Sequence, residues 1–151
     1  MFFRASIICV LIMAIFVGCR SQTASQNIGR ETSRLRLLVN LYQTAARGAG
    51  RMPKNEHEFK QLIQAIRPES LDRILAAGNV TSVDELFVSE RDSQPYVIFY
   101  GGQPKGVAND LIGYERTGAG GKRYVGYGLG IVAEEDEEHF AQLVPMGSRP
   151  N

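Results

Sequence analysis

The stretch Tyr124-Val-Gly-Tyr-Gly-Leu-Gly130 alternates with period two. Laid out as a strand, it puts Val125, Tyr127 and Leu129 on one face and Gly126, Gly128 and Gly130 on the other. Bare backbone is unfavourable in a strand, because glycine loses more freedom on ordering and offers no side chain to pack. Two readings account for the glycine face. Another element approaches it closely, or the strand is bulged and distorted.

Working outward, 122–127 follows the turn Thr117-Gly-Ala-Gly-Gly121, and a strand around 111–116 precedes that turn. Gly128-Leu-Gly130 bends the chain into a further strand at 131–133. Pro95-Tyr-Val-Ile-Phe-Tyr100 is β-branched and aromatic, bounded by Asp92-Ser93 and Gly101-Gly102, and reads as a strand buried on both faces. Short strands joined by Gly-rich turns predict an antiparallel meander.

The first half has a helical period instead. Over 32–47, Leu35, Leu38, Leu41, Tyr42 and Ala45 share a face that Leu37 and Val39 widen, opposite Arg36, Asn40, Gln43 and Arg47. This helix is the candidate to cross the glycine face. Gly48, Gly50 and Pro53 end it. Asn55 and Glu58 form a capping-box pattern ahead of Phe59, Leu62, Ile63 and Ile66. Pro68 separates a third helix over 69–77, with Leu71, Ile74 and Leu75 inward. Asp136 caps a last helix carrying Phe140, Leu143 and Val144. The predicted fold class is α+β: an N-terminal amphipathic helix and two short helices on a small antiparallel sheet of three or four strands, then a short C-terminal helix.

With 151 residues, 44% of them hydrophobic and 22% charged, the chain has material for one ordinary core and not two. Its two cysteines, Cys9 and Cys19, exclude a disulfide framework or a Cys-rich zinc site beyond the first twenty residues. A net charge of +1 gives no field to attract nucleic acid, which is not expected as a partner.

Arg4 precedes an uncharged run of 13 residues, 5–17. As a helix this spans about 20 Å, short of the ~30 Å hydrocarbon core of a bilayer, and suits a secretory signal. Its end, Phe16-Val17-Gly18-Cys19, resembles the lipobox of bacterial lipoproteins. The resemblance implies a diacylglycerol on the Cys19 thiol, cleavage before Cys19, and an extracytoplasmic protein held to the membrane of the cell envelope by lipid. An uncleaved anchor, or ordinary cleavage near Ala24, are the alternatives. Residues 1–18 are then a signal peptide, 19–31 a lipid anchor and polar tether, 32–145 one globular domain and 146–151 a disordered tail. Residues 20–54 carry seven cations, at 20, 30, 34, 36, 47, 51 and 54, against the single acid Glu31. They read as a solvated helix face or as a surface resting on anionic headgroups.

Chemical motifs are few. His57 and His139 are the two histidines, each placed on an exposed helix surface, and no nucleophile motif accompanies them. Gly118-Ala-Gly-Gly-Lys122 lacks the spacing and the hydroxyl of a phosphate loop and reads as a turn. The acidic run 134–138 is expected at a helix start, where acids favour the N-terminus, rather than around a calcium ion. No catalytic, cofactor or metal residue is expected, and the protein is not expected to be an enzyme.

A long amphipathic helix, Pro53 and Glu58 on the second helix, a pre-strand turn Asp92-Ser-Gln-Pro-Tyr96 and a Gly-linked meander together resemble the periplasmic domain of type II secretion major pseudopilins. The similarity spans residues 33–143, with Asp92, Pro95 and Tyr96 matching that family's turn. Relatives carry Asp-Gly in the final hairpin where this chain has Leu129-Gly130, so no calcium site is carried over. The resemblance implies a structural or protein-interaction module with envelope or secretion-system partners. The alternative is a ligand-binding lipoprotein with a pocket lined by Tyr96, Tyr100, Tyr114 and Tyr127.

Overall fold

The computed structural model describes residues 34–149. Cys19, the signal segment and the tether lie outside the described residues. The chain runs α1 (Arg34–Ala49), α2 (Glu56–Gln64), α3 (Pro68–Ala77), α4 (Val83–Leu86), β1 (Val97–Ile98), β2 (Leu111–Tyr114), β3 (Lys122–Tyr127), β4 (Ile131–Asp136) and α5 (Glu137–Leu143). The strands form one antiparallel sheet in the order β1-β2-β3-β4. The fold is α+β, with short helices on a small sheet, as the change of period predicts. Among the described residues, no helix is long and apolar enough to cross a membrane.

Capping sets the helix starts. The Asn55 side chain accepts from the Glu58 N–H at 2.9 Å, and the Glu58 carboxylate accepts from the Lys54 N–H at 2.7 Å. Ser82 and Glu85 repeat this arrangement and start α4, a helix the sequence reading omitted. Pro68 is the first residue of α3, where a missing N–H is harmless. No residue of α3 is fully buried; Leu71, Ile74 and Leu75 rest half-buried on the core.

Two apolar layers sandwich the sheet. Leu35, Leu38, Tyr42, Phe59, Ile63 and Leu86 pack with Tyr96, Ile98 and Val132 on one side. Phe140 and Val144 pack with Val97, Phe99, Leu111, Tyr114 and Val125 on the other. Residues 96–99 therefore alternate between two cores, which explains why that run carries no polar residue.

The glycine face has two explanations, one per end. At Gly126 the first helix does come close: an added Cβ would lie 2.6 Å from Val39 Cγ2 and 3.3 Å from Leu35 Cγ. Gly128–Gly130 instead forms a tight turn into β4, with Gly130 at φ +73° under Asn40. A bulge does occur, but on the neighbouring strand, between Leu111 and Gly113. Gly126 has no left-handed φ, so alanine meets only a steric objection there. Val39 is buried and stiff, and α1 must shift to make room. Gly126→Ala should destabilise by roughly 1–3 kcal/mol in denaturant melts; a neutral or stabilised variant would show that α1 does not press on β3.

Four expectations need correction. The ladder of β1 covers only Val97–Ile98 rather than 95–100, because Gly101 at φ +72° turns the chain toward Pro53, whose carbonyl accepts its N–H. β4 continues to Asp136, so Glu134 and Glu135 belong to a strand and not to a helix start. Among the described residues the expected disordered tail is folded. Met146–Ser148 make a helical turn, the Ser148 hydroxyl donates to the Lys105 carbonyl at 3.0 Å, and Arg149 stacks on Phe140. The four tyrosines do not share a pocket: Tyr96 and Tyr100 lie in one core layer, Tyr114 and Tyr127 in the other.

Candidate interaction site

Helix α1 connects two ends of the molecule that differ in character. Its first residue is clamped at one end. The Arg34 Nε donates to the Gly78 carbonyl at 3.1 Å, and an Nη donates to the Val88 carbonyl at 3.1 Å, closing the C-termini of α3 and α4. Arg51 pairs with Glu58 and Arg47 Nε donates to the Gln43 carbonyl, so at least three of the described cations along 34–54 have intramolecular work.

The same end holds a buried polar cluster. Glu115 is completely buried; the Ser89 hydroxyl donates to one of its oxygens and the Tyr124 N–H to the other, each at 2.8 Å. The Arg91 guanidinium lies 3.5 Å away, stacked 4.0 Å from the Tyr124 ring centre, and also reaches Glu134 at 3.0 Å. Burial pushes the Glu115 carboxyl above its ordinary pKa, against these hydrogen bonds and Arg91. Neighbouring Asp92 goes the other way. Partial burial raises it, but N–H groups of Gln94, Gly118 and Thr117 overcome that and hold it below its ordinary value. Ser89 is buried and already engaged by Glu115 and two backbone N–H groups, so this is a lock between loop and hairpin rather than a reactive dyad.

The opposite end is where the strands meet the loop 101–110. Phe99 lies there, and its carbonyl accepts from the Tyr42 hydroxyl at 2.8 Å. Gln103 Nε2 donates to the Leu111 carbonyl at 3.0 Å, and the Gly128 N–H to the Asp110 carbonyl at 2.8 Å. Between them opens a cleft of about 190 Å³ with Tyr42, Ala46, Phe99 and Leu111 in its walls. Beside it the turn presents Leu129, 88% exposed and at φ +62°. For a residue with a Cβ that conformation costs about 1–2 kcal/mol. Met52, Ile131 and Met146, the other large exposed hydrophobic residues among those described, gather at this end: Met52 lines the cleft, Ile131 follows the turn, and Met146 follows α5, whose last carbonyl bonds Ala108 in the loop.

The remaining sequence candidates do not converge. Glu134 bonds Arg91, Glu135 accepts from the Tyr127 hydroxyl and contacts His139 Nδ1, Asp136 caps α5, and Glu137 pairs with Arg123. Among the described residues no group of three or more His, Cys, Asp or Glu could hold a metal ion. Both His57 and His139 are exposed on helices. Gly118–Lys122 is a tight hairpin closed by paired Ala119–Lys122 bonds, with Gly120 and Gly121 at positive φ. Sequence reasoning passed over Glu115, yet period two from Gly113 places it on an inward face, which was the available signal.

No protein-family model matches this chain, no curated protein is significantly similar to it, and no solved structure matches it.

Proposed function

We propose that the chain is a bacterial lipoprotein anchored through a diacylglyceryl Cys19, and that its α+β domain is a structural or protein-interaction module of the cell envelope, pseudopilin-like in build. The observation that carries the interaction role is Leu129. A leucine held in a left-handed turn with its side chain in water is unfavourable on both counts, and such strain is retained where a site uses it. Position agrees with the anchoring. The described fold begins at Arg34, on the Cys19 side of the sequence, and the 16 residues of α1 run about 24 Å from there toward the apolar end. That end is then turned away from the bilayer and toward other proteins.

Two measurements test the reading. Mass spectrometry of the protein from bacterial envelopes should find Cys19 as a lipidated first residue, and Cys19→Ala should leave unprocessed precursor; an unmodified Cys19 overturns the anchor. A photo-crosslinker at Ile131 should give a discrete protein adduct in those envelopes, where one at the exposed Asp72 of α3 should not. Leu129→Gly should weaken that adduct while raising stability by up to about 1 kcal/mol, since glycine accepts the turn without strain. An adduct unchanged by Leu129→Gly removes the interaction role from this end.

A further inference from the structure

The cleft beside Leu129 has a chemistry of its own. Its walls are apolar and aromatic, while its rim carries Gln43, Asn109 and Asp110. Asp110 is the one charged residue lining it. The Gln43, Asn109 and Asp110 side chains make no hydrogen bond with any described residue, although the Gln43 and Asp110 main-chain carbonyls are both engaged. One uncommitted carboxylate, the only charge there, and two uncommitted amides able to turn their oxygens inward thus stand over an apolar floor. Its volume, about 190 Å³, exceeds the ~150 Å³ that admits benzene in another protein. An apolar pocket with a few convergent polar groups is the usual form of a small-molecule site.

We propose that this cleft binds a small amphipathic amine, with its ring or short alkyl arm against Tyr42, Phe99 and Leu111 and its ammonium group at Asp110. An ammonium has three donors and no acceptor, which suits a rim of one carboxylate and two amide oxygens. A carboxylic acid of the same size would meet Asp110 as a like charge. Binding there would need no lipid on Cys19. The cleft borders the apolar turn through Gly128, so an occupant would lie against any protein docked at Leu129.

Phenethylammonium and its neutral counterpart 2-phenylethanol are the probes, titrated into the isotope-labelled full chain in detergent micelles. The amine should produce saturable shifts in the backbone amides of Phe99, Asn109, Leu111 and Gly128, with a Kd on the order of 1 mM for so small a molecule. The alcohol should bind about tenfold more weakly. Asp110→Asn should abolish the preference by weakening the amine alone. Because the Asp110 side chain is exposed and supports no internal bond, this variant should keep the wild-type melting curve. Ala46→Leu, which fills the floor, should remove binding of both probes. Equal affinity of amine and alcohol overturns the proposed ligand class. Shifts that never saturate, or that fall outside the cleft, overturn the site.

Discussion

Glu115→Ala should destabilise the protein by about 3–5 kcal/mol, a large share of the ~5–15 kcal/mol available to a domain of this size. The loss comes from what the carboxylate leaves behind. The Ser89 hydroxyl would be a buried donor without this acceptor, the part-buried Tyr124 N–H would lose its carboxylate oxygen, and Arg91 would lose its closest buried counter-charge. Glu115→Gln separates charge from shape. The folded state raises the Glu115 pKa, so between the ordinary carboxylate value and the raised one the folded protein holds a proton that the unfolded chain has released. The stability this residue contributes is therefore complete below the ordinary value and declines as pH rises through the raised one. Urea melts across that window should show wild type losing stability relative to Glu115→Gln as pH increases. A constant difference would mean that Glu115 does not titrate in the fold.

Leu38→Ala should cost 2–5 kcal/mol, roughly the range for deleting a fully buried leucine side chain. Leu38 lies in the layer to which α2 and α4 contribute Phe59, Ile63, Val83 and Leu86. A shift under about 1 kcal/mol would place α1 at the periphery, contradicting the close approach of Val39 and Leu35 to Gly126.

Much of this architecture was legible because single residues carry it. Asn55 with Glu58, and Asp136 with its following helix, announce their own caps. The Gly126 face pointed to a helix crossing, and the amphipathic first helix is the one that crosses. The α4 signal, Ser82 with Glu85, was equally local but sat in a helix of only four residues, too short to show a period. The site was much less legible. Whether Leu129 points inward depends on where β3 stops, and a strand that ends at Tyr127 turns the alternation into a protruding side chain. The cleft brings Tyr42, Phe99 and Asp110 together from three separate segments, and no spacing along the chain encodes that. Grouping the four tyrosines failed for the same reason: the bulge in β2 and the two-sided burial of 96–99 decide which layer each enters.

The Arg34 clamp has a mechanical consequence. Any pull that reaches the folded part from its N-terminal side arrives at the first turn of α1, the place where an unclamped helix would begin to unravel. Arg34 diverts that load sideways, into the carbonyls that end α3 and α4, so several hydrogen bonds must part together before α1 peels from the sheet. Load applied at that end would fall on the buried lock at Glu115 before it reached the cleft at the far end.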